Sequence, residues 1–77
     1  MVSIGRKVAA ARSLRGTKSV ELAAKLGWSP QRLHRIERSE NITIRTLEQI
    51  AQALRMSVAQ ILTIGEGAEE MTKNVRL

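Results

Sequence analysis

The sequence has no cysteine, phenylalanine or tyrosine, and only one tryptophan, one proline and one histidine among 77 residues. Each scarcity removes a class of protein. Without thiols there is no disulfide staple, and a lone His34 has too few companions for a transition-metal cage. With Trp28 as the only aromatic residue, the chain lacks the platforms on which RNA-binding sheets and single-strand binders stack bases. No apolar run approaches the roughly 20 residues that span a bilayer, and no apolar leader is read at the start. The expectation is a soluble, cytoplasmic protein with no membrane partner. There is no nucleophile–base pair, no pair of carboxylates on one helical face and no glycine loop to cradle phosphate. No enzyme and no cofactor are expected.

What is present is a small, basic, helical domain. A chain of this length buries only about 60% of its unfolded surface, so one economical fold is expected. Residues 1–64 carry 11 basic and 4 acidic side chains, a charge of +7, whereas residues 66–77 carry −1. A compact basic body suits a polyanion. Residues 1–64 are therefore read as the domain, and 65–77 as a flexible or conditionally ordered tail.

Apolar residues recur at helical spacing throughout, and no alternating run suggests a strand. Ile4, Val8, Ala11 and Leu14 predict a first helix over about residues 3–15, with Ser3 as its N-cap and Gly16 at its end. Leu22, Ala23 and Leu26 mark a second, stopped by Gly27. Ser29 and Pro30 open a third, a capping serine followed by proline at the first helical position. Leu33 and Ile36 form its buried side. Arg38–Ile42 has no period and reads as a loop. Thr43 precedes a fourth helix with Ile44, Leu47, Ile50, Ala51 and Leu54 inward. Ser57 and Gln60 form a capping-box pattern for a fifth, carrying Val58, Ile61 and Leu62. The fold class is all-α, with five short helices.

The stretch from Ser19 to Arg38 carries the functional information. Two helices joined by Gly27-Trp28-Ser29 must cross steeply. That needs a small residue at the crossing, glycine at positive φ, and apolar residues facing a third helix. Ala23, Gly27 and the set Leu22, Leu26, Trp28, Leu33 and Ile36 meet these needs, which is a helix-turn-helix signature. With Leu33 and Ile36 inward, Gln31, His34, Arg35 and Arg38 point outward. Arginine pairs bidentately with guanine and glutamine with adenine in the major groove. Gln31 and Arg35 are the first candidates for base contact, with Arg32 and His34 behind them. Arg38, at the helix end, is a candidate for phosphate. Trp28 is read as a ring packed over the helix junction.

Residues 4–62, about three quarters of the chain, resemble the Cro/cI-type repressor family of phage and bacterial regulators. The resemblance lies in Glu21-Leu22-Ala23-Ala24-Lys25-Leu26-Gly27-Trp28-Ser29, in Arg35-Ile36-Glu37, in Leu47-Glu48-Gln49-Ile50-Ala51-Gln52-Ala53-Leu54 and in Ser57-Val58. It implies a lambda-repressor-like fold and a largely buried ion pair between Arg12 and Glu37. It also implies phosphate contacts from Lys18 and Ser19, and from the segment Asn41 to Arg45 that includes Thr43. There are three departures from the family pattern. Ser19 replaces a frequent glutamine, Pro30 replaces a polar residue, and Arg38-Ser39 stands where glycine commonly follows the recognition helix.

These readings lead to a regulator, chiefly a repressor, that binds double-stranded DNA. One such unit reads only a few base pairs, so a homodimer on a palindromic operator is expected. Leu62, Ile64, Met71, Val75 and Leu77 are candidates for its interface. The alternative is an antitoxin-type protein whose acidic tail, with Glu69 and Glu70, engages a protein partner.

Overall fold

The structure, a computed structural model, describes residues 4–64. Ser3 as a helix cap, and the roles assigned to Met71, Val75, Leu77 and the 65–77 tail, lie outside the described residues. Five α-helices follow in order: α1 Ile4–Leu14, α2 Ser19–Leu26, α3 Pro30–Glu37, α4 Ile44–Leu54 and α5 Val58–Leu62. Among the described residues there is no strand, and no helix is long and apolar enough to cross a membrane.

Local chemistry sets the helix limits. At α2 the Lys18 N–H donates to the Glu21 carboxylate at 3.2 Å, and the helix ends at Gly27 with φ 72°. That left-handed conformation carries a steric penalty for a residue with a Cβ. It lets the Gly27 and Trp28 N–H groups close onto the Ala24 and Ala23 carbonyls, at 3.2 and 2.9 Å. The chain then reverses and α3 starts at once. The Ser29 hydroxyl accepts from the Arg32 N–H at 3.2 Å, and Pro30 occupies the first turn, where no N–H is needed. Thr43 caps α4 through the Thr46 N–H. Ser57 and Gln60 exchange the two bonds of a capping box at the head of α5.

Every helix contributes to one core. Val8 and Ala11 from α1, Leu22 and Ala23 from α2, Leu33 from α3, Leu47, Ile50, Ala51 and Leu54 from α4, and Ile61 from α5 are all buried. Trp28, Ile36, Leu26, Val58 and Leu62 pack around that cluster. α2 lies against α3 and α4, and α1 spans α3, α4 and α5.

Two residues expected inside are outside: Leu14 is 70% exposed and Ile44 63%. The cause is geometric. Each step of three residues drifts about 60° around a helix, and only an intervening step of four restores the stripe. Leu14 lies one uncorrected step beyond Ala11, and Ile44 one such step before Leu47.

The start of α1 is gripped from two sides. The Gly5 N–H donates to the Ser39 carbonyl at 3.0 Å, satisfying one of the orphan donors of the first turn. This approach needs a residue with no side chain. A Cβ on Gly5 would stand 2.5–2.6 Å from the carbonyl oxygens of Ser39, Glu37 and Ile36. Lys7, two residues on, is buried and donates from Nζ to the Leu62 carbonyl at the end of α5.

Candidate nucleic-acid interface

The turn between α2 and α3 fixes the direction of α3, and an ion pair fixes its far end. Arg12 of α1 donates from Nε to Glu37 Oε2 at 2.8 Å and from Nη2 to Oε1 at 3.4 Å. Its Nη1 donates to the Thr17 carbonyl at 3.1 Å. The side chains are only 20% and 12% exposed. In such a setting the charges must neutralise one another, because either alone would be costly to desolvate. One guanidinium thus ties α1, the α1–α2 turn and the C-terminus of α3.

The end of α3 needs no glycine. Arg38 caps the helix at φ −94° and ψ −8°, a conformation open to any side chain. The Ser39 hydroxyl donates to the Arg35 carbonyl at 2.9 Å, and the Ser39 carbonyl serves Gly5. Arg38-Ser39 is therefore compatible with this loop.

With Leu33 buried and Ile36 half-buried, the rest of α3 faces outward. Gln31, Arg32, His34, Arg35 and Arg38 are all exposed. Pro30, Gln31, His34, Arg35, Arg38 and Ser39 border an open depression of about 500 Å³ along this face. It offers an amide, an imidazole and two guanidinium groups with no carboxylate among them. Lys18, Asn41, Thr43 and Arg45 are exposed and Ser19 half-exposed, at the heads of α2 and α4 and in the loop between α3 and α4. The Thr43 hydroxyl already bonds Thr46 Oγ1 at 2.9 Å, so a phosphate contact from Thr43 requires that bond to be exchanged.

Arg32 stands apart from the other outward residues. Its Cζ lies over the Trp28 ring, 4.4 Å from the centroid, and it does not border the depression. Sequence reasoning placed Trp28 over the junction but gave no hint of this stack. Nor did it single out Gly5, although an isolated glycine in a helical stretch is a signal of close approach. Among the described residues, no three His, Cys, Asp or Glu side chains cluster to hold a metal.

A model of the helix-turn-helix family, of the Xre/Cro-cI-like kind, matches residues 8–61. This chain belongs to the helix-turn-helix family. The matched span runs from α1 to α5 and contains Arg12, Glu37 and the whole outward face of α3. The helix-turn-helix protein is, at the level its family defines, a DNA-binding transcriptional regulator. No curated protein matches it.

Proposed function

We propose that this helix-turn-helix protein is a sequence-specific repressor that binds a palindromic operator as a homodimer, with α3 in the major groove. The observation that carries this reading is the outward face of α3, where Gln31, His34, Arg35 and Arg38 border one depression with no carboxylate among the described residues that line it. Gln31 and Arg35 lie at the spacing that directs two side chains to one side of a helix, and their chemistry suits adenine and guanine edges. His34 flanks them and Arg32 is the fourth candidate reader. Lys18, Ser19, Arg38, Asn41, Thr43 and Arg45 hold the sugar-phosphate backbone in this reading, and they fix register rather than sequence.

The domain proper is residues 1–64. Leu62 and Ile64, half-buried at the end of α5, offer apolar surface for a second copy. Met71 and Val75, outside the described residues, are the other interface candidates. Action is by occupancy in the cytoplasm, on the nucleoid, with no catalytic step.

The test is selection of bound duplexes from a random library, followed by affinity of the winner at two salt concentrations. A palindromic winner, bound by two protein chains per duplex and preferred over random DNA at the higher salt, is the expected result. Binding that selects no sequence and collapses with salt would leave only a phosphate grip and refute the proposal.

A further inference from the structure

We propose that Trp28 is a positioning residue that holds Arg32 away from the base-reading face of α3 and presents its guanidinium to a DNA phosphate. The inference rests on the DNA-binding reading above and assigns Arg32 a different role within it.

The backbone that carries the ring is anchored. The Trp28 backbone N–H is bound to the Ala23 carbonyl at 2.9 Å, and its neighbour Ser29 caps α3. Trp28 packs against the buried cluster and is half-buried, which limits the freedom of its ring. Arg32 lies on the first turn of α3, four residues after Trp28, with its Cζ 4.4 Å from the ring centroid. That is well within the roughly 6 Å over which a guanidinium is attracted to the face of an indole.

At about 100° per residue, Arg32 is turned about 100° from Gln31 and from Leu33, on the flank between the outer and buried faces. The depression bordered by Gln31, His34, Arg35 and Arg38 does not include it. A guanidinium attracted to a ring face has five N–H donors, more than that contact uses, and a pair of them matches two phosphate oxygens. Holding the long side chain in advance also removes part of the ordering cost of the contact. A base reader needs the opposite: free extension into the floor of the groove.

The experiment compares Arg32→Ala, Trp28→Leu and the double variant on the duplex selected by the wild-type protein. Leucine keeps an apolar residue against the core but removes the platform. Arg32→Ala is expected to lower the slope of log affinity against log salt by about 1, with the base preferences of the site unchanged. Trp28→Leu is expected to weaken binding about 2–5-fold, the size of an exposed cation–π contact. The double variant should bind no more weakly than Arg32→Ala alone. If Trp28→Leu lowers the helical circular dichroism, Trp28→Phe replaces it, with a smaller loss and the same coupling expected.

A changed preference at a single base pair in Arg32→Ala would make Arg32 a base reader and overturn the assignment. Losses that multiply in the double variant would show that the ring does not position the guanidinium. In either case the wild-type protein still selects its duplex, and the proposed function stands. If the wild-type protein selects no duplex, both proposals fall.

Discussion

Replacing Gly5 by alanine sets two physical effects against each other, and the structure decides between them. By helix propensity alone the change should stabilise α1 by up to about 1 kcal/mol, since glycine is the poorer helix former. The packing opposes it. The new Cβ would meet three backbone oxygens at 2.5–2.6 Å, and ordinary contact begins at 3.4 Å. The end of α3 would have to retreat by roughly 0.9 Å, and backbone cannot rotate aside as a flexible side chain would. Overpacking of this kind costs about 1–3 kcal/mol. The retreat also stretches the Gly5–Ser39 hydrogen bond, for about 1 kcal/mol more. The net expectation for Gly5→Ala is a loss of about 1–3 kcal/mol, which lowers Tm by about 5–20 °C in a domain of this size. Thermal unfolding followed by helical circular dichroism measures it. Ser13, exposed on the same helix, supplies the control: there alanine should be more stable than glycine. A Gly5→Ala variant that melts at or above the wild-type temperature would refute the account of how α1 meets α3.

Three further outcomes are expected. Glu37→Ala should cost about 2–4 kcal/mol by leaving the Arg12 guanidinium partly buried without its carboxylate, while Arg12→Met combined with Glu37→Leu should cost less than Glu37→Ala alone; urea unfolding of the three proteins checks this. Arg55 caps α4 at φ 57°, the only described non-glycine residue at positive φ, so Arg55→Gly should raise stability by roughly 0.5–1 kcal/mol in the same assay. The Arg15 bond to its carbonyl, 2.7 Å, involves only backbone there and is retained. Arg35→Ala should cost about 1–3 kcal/mol on the selected duplex and relax preference at one base pair; equal weakening on every sequence would make Arg35 a phosphate anchor.

The helices were legible because their signals are local. Ser29-Pro30, Gly27, Thr43 and the Ser57–Gln60 pair each settle a boundary through bonds within a few residues. The outward face of α3 was legible for the same reason, since Leu33 and Ile36 fix its rotation. What periodicity cannot say is whether anything lies opposite a given position. Leu14 and Ile44 are apolar and close to their stripes, yet each sits one drift step outside the contact. Contacts between distant segments leave at most a one-sided signal: the isolated glycine at position 5 marks a close approach but not what approaches. The close approach of Gly5 to α3 and the reach of Lys7 to Leu62 depend on where three helices meet. The Trp28–Arg32 stack spans only four residues, but it crosses a turn, where helical spacing no longer tells which side chains meet.

The double grip on the start of α1 bears on the order of events during synthesis. Gly5 waits for Ser39, and Lys7 waits for Leu62, 55 residues further along the chain. At about 5–20 residues per second, the ribosome needs several seconds to make that interval. Of the five helices, α1 thus keeps two of its contacts open, one until Ser39 has been made and the other until Leu62 has. The α2–turn–α3 unit, whose contacts are local, can assemble in that time. The part of the chain proposed to read DNA can take shape before the grip on α1 is complete.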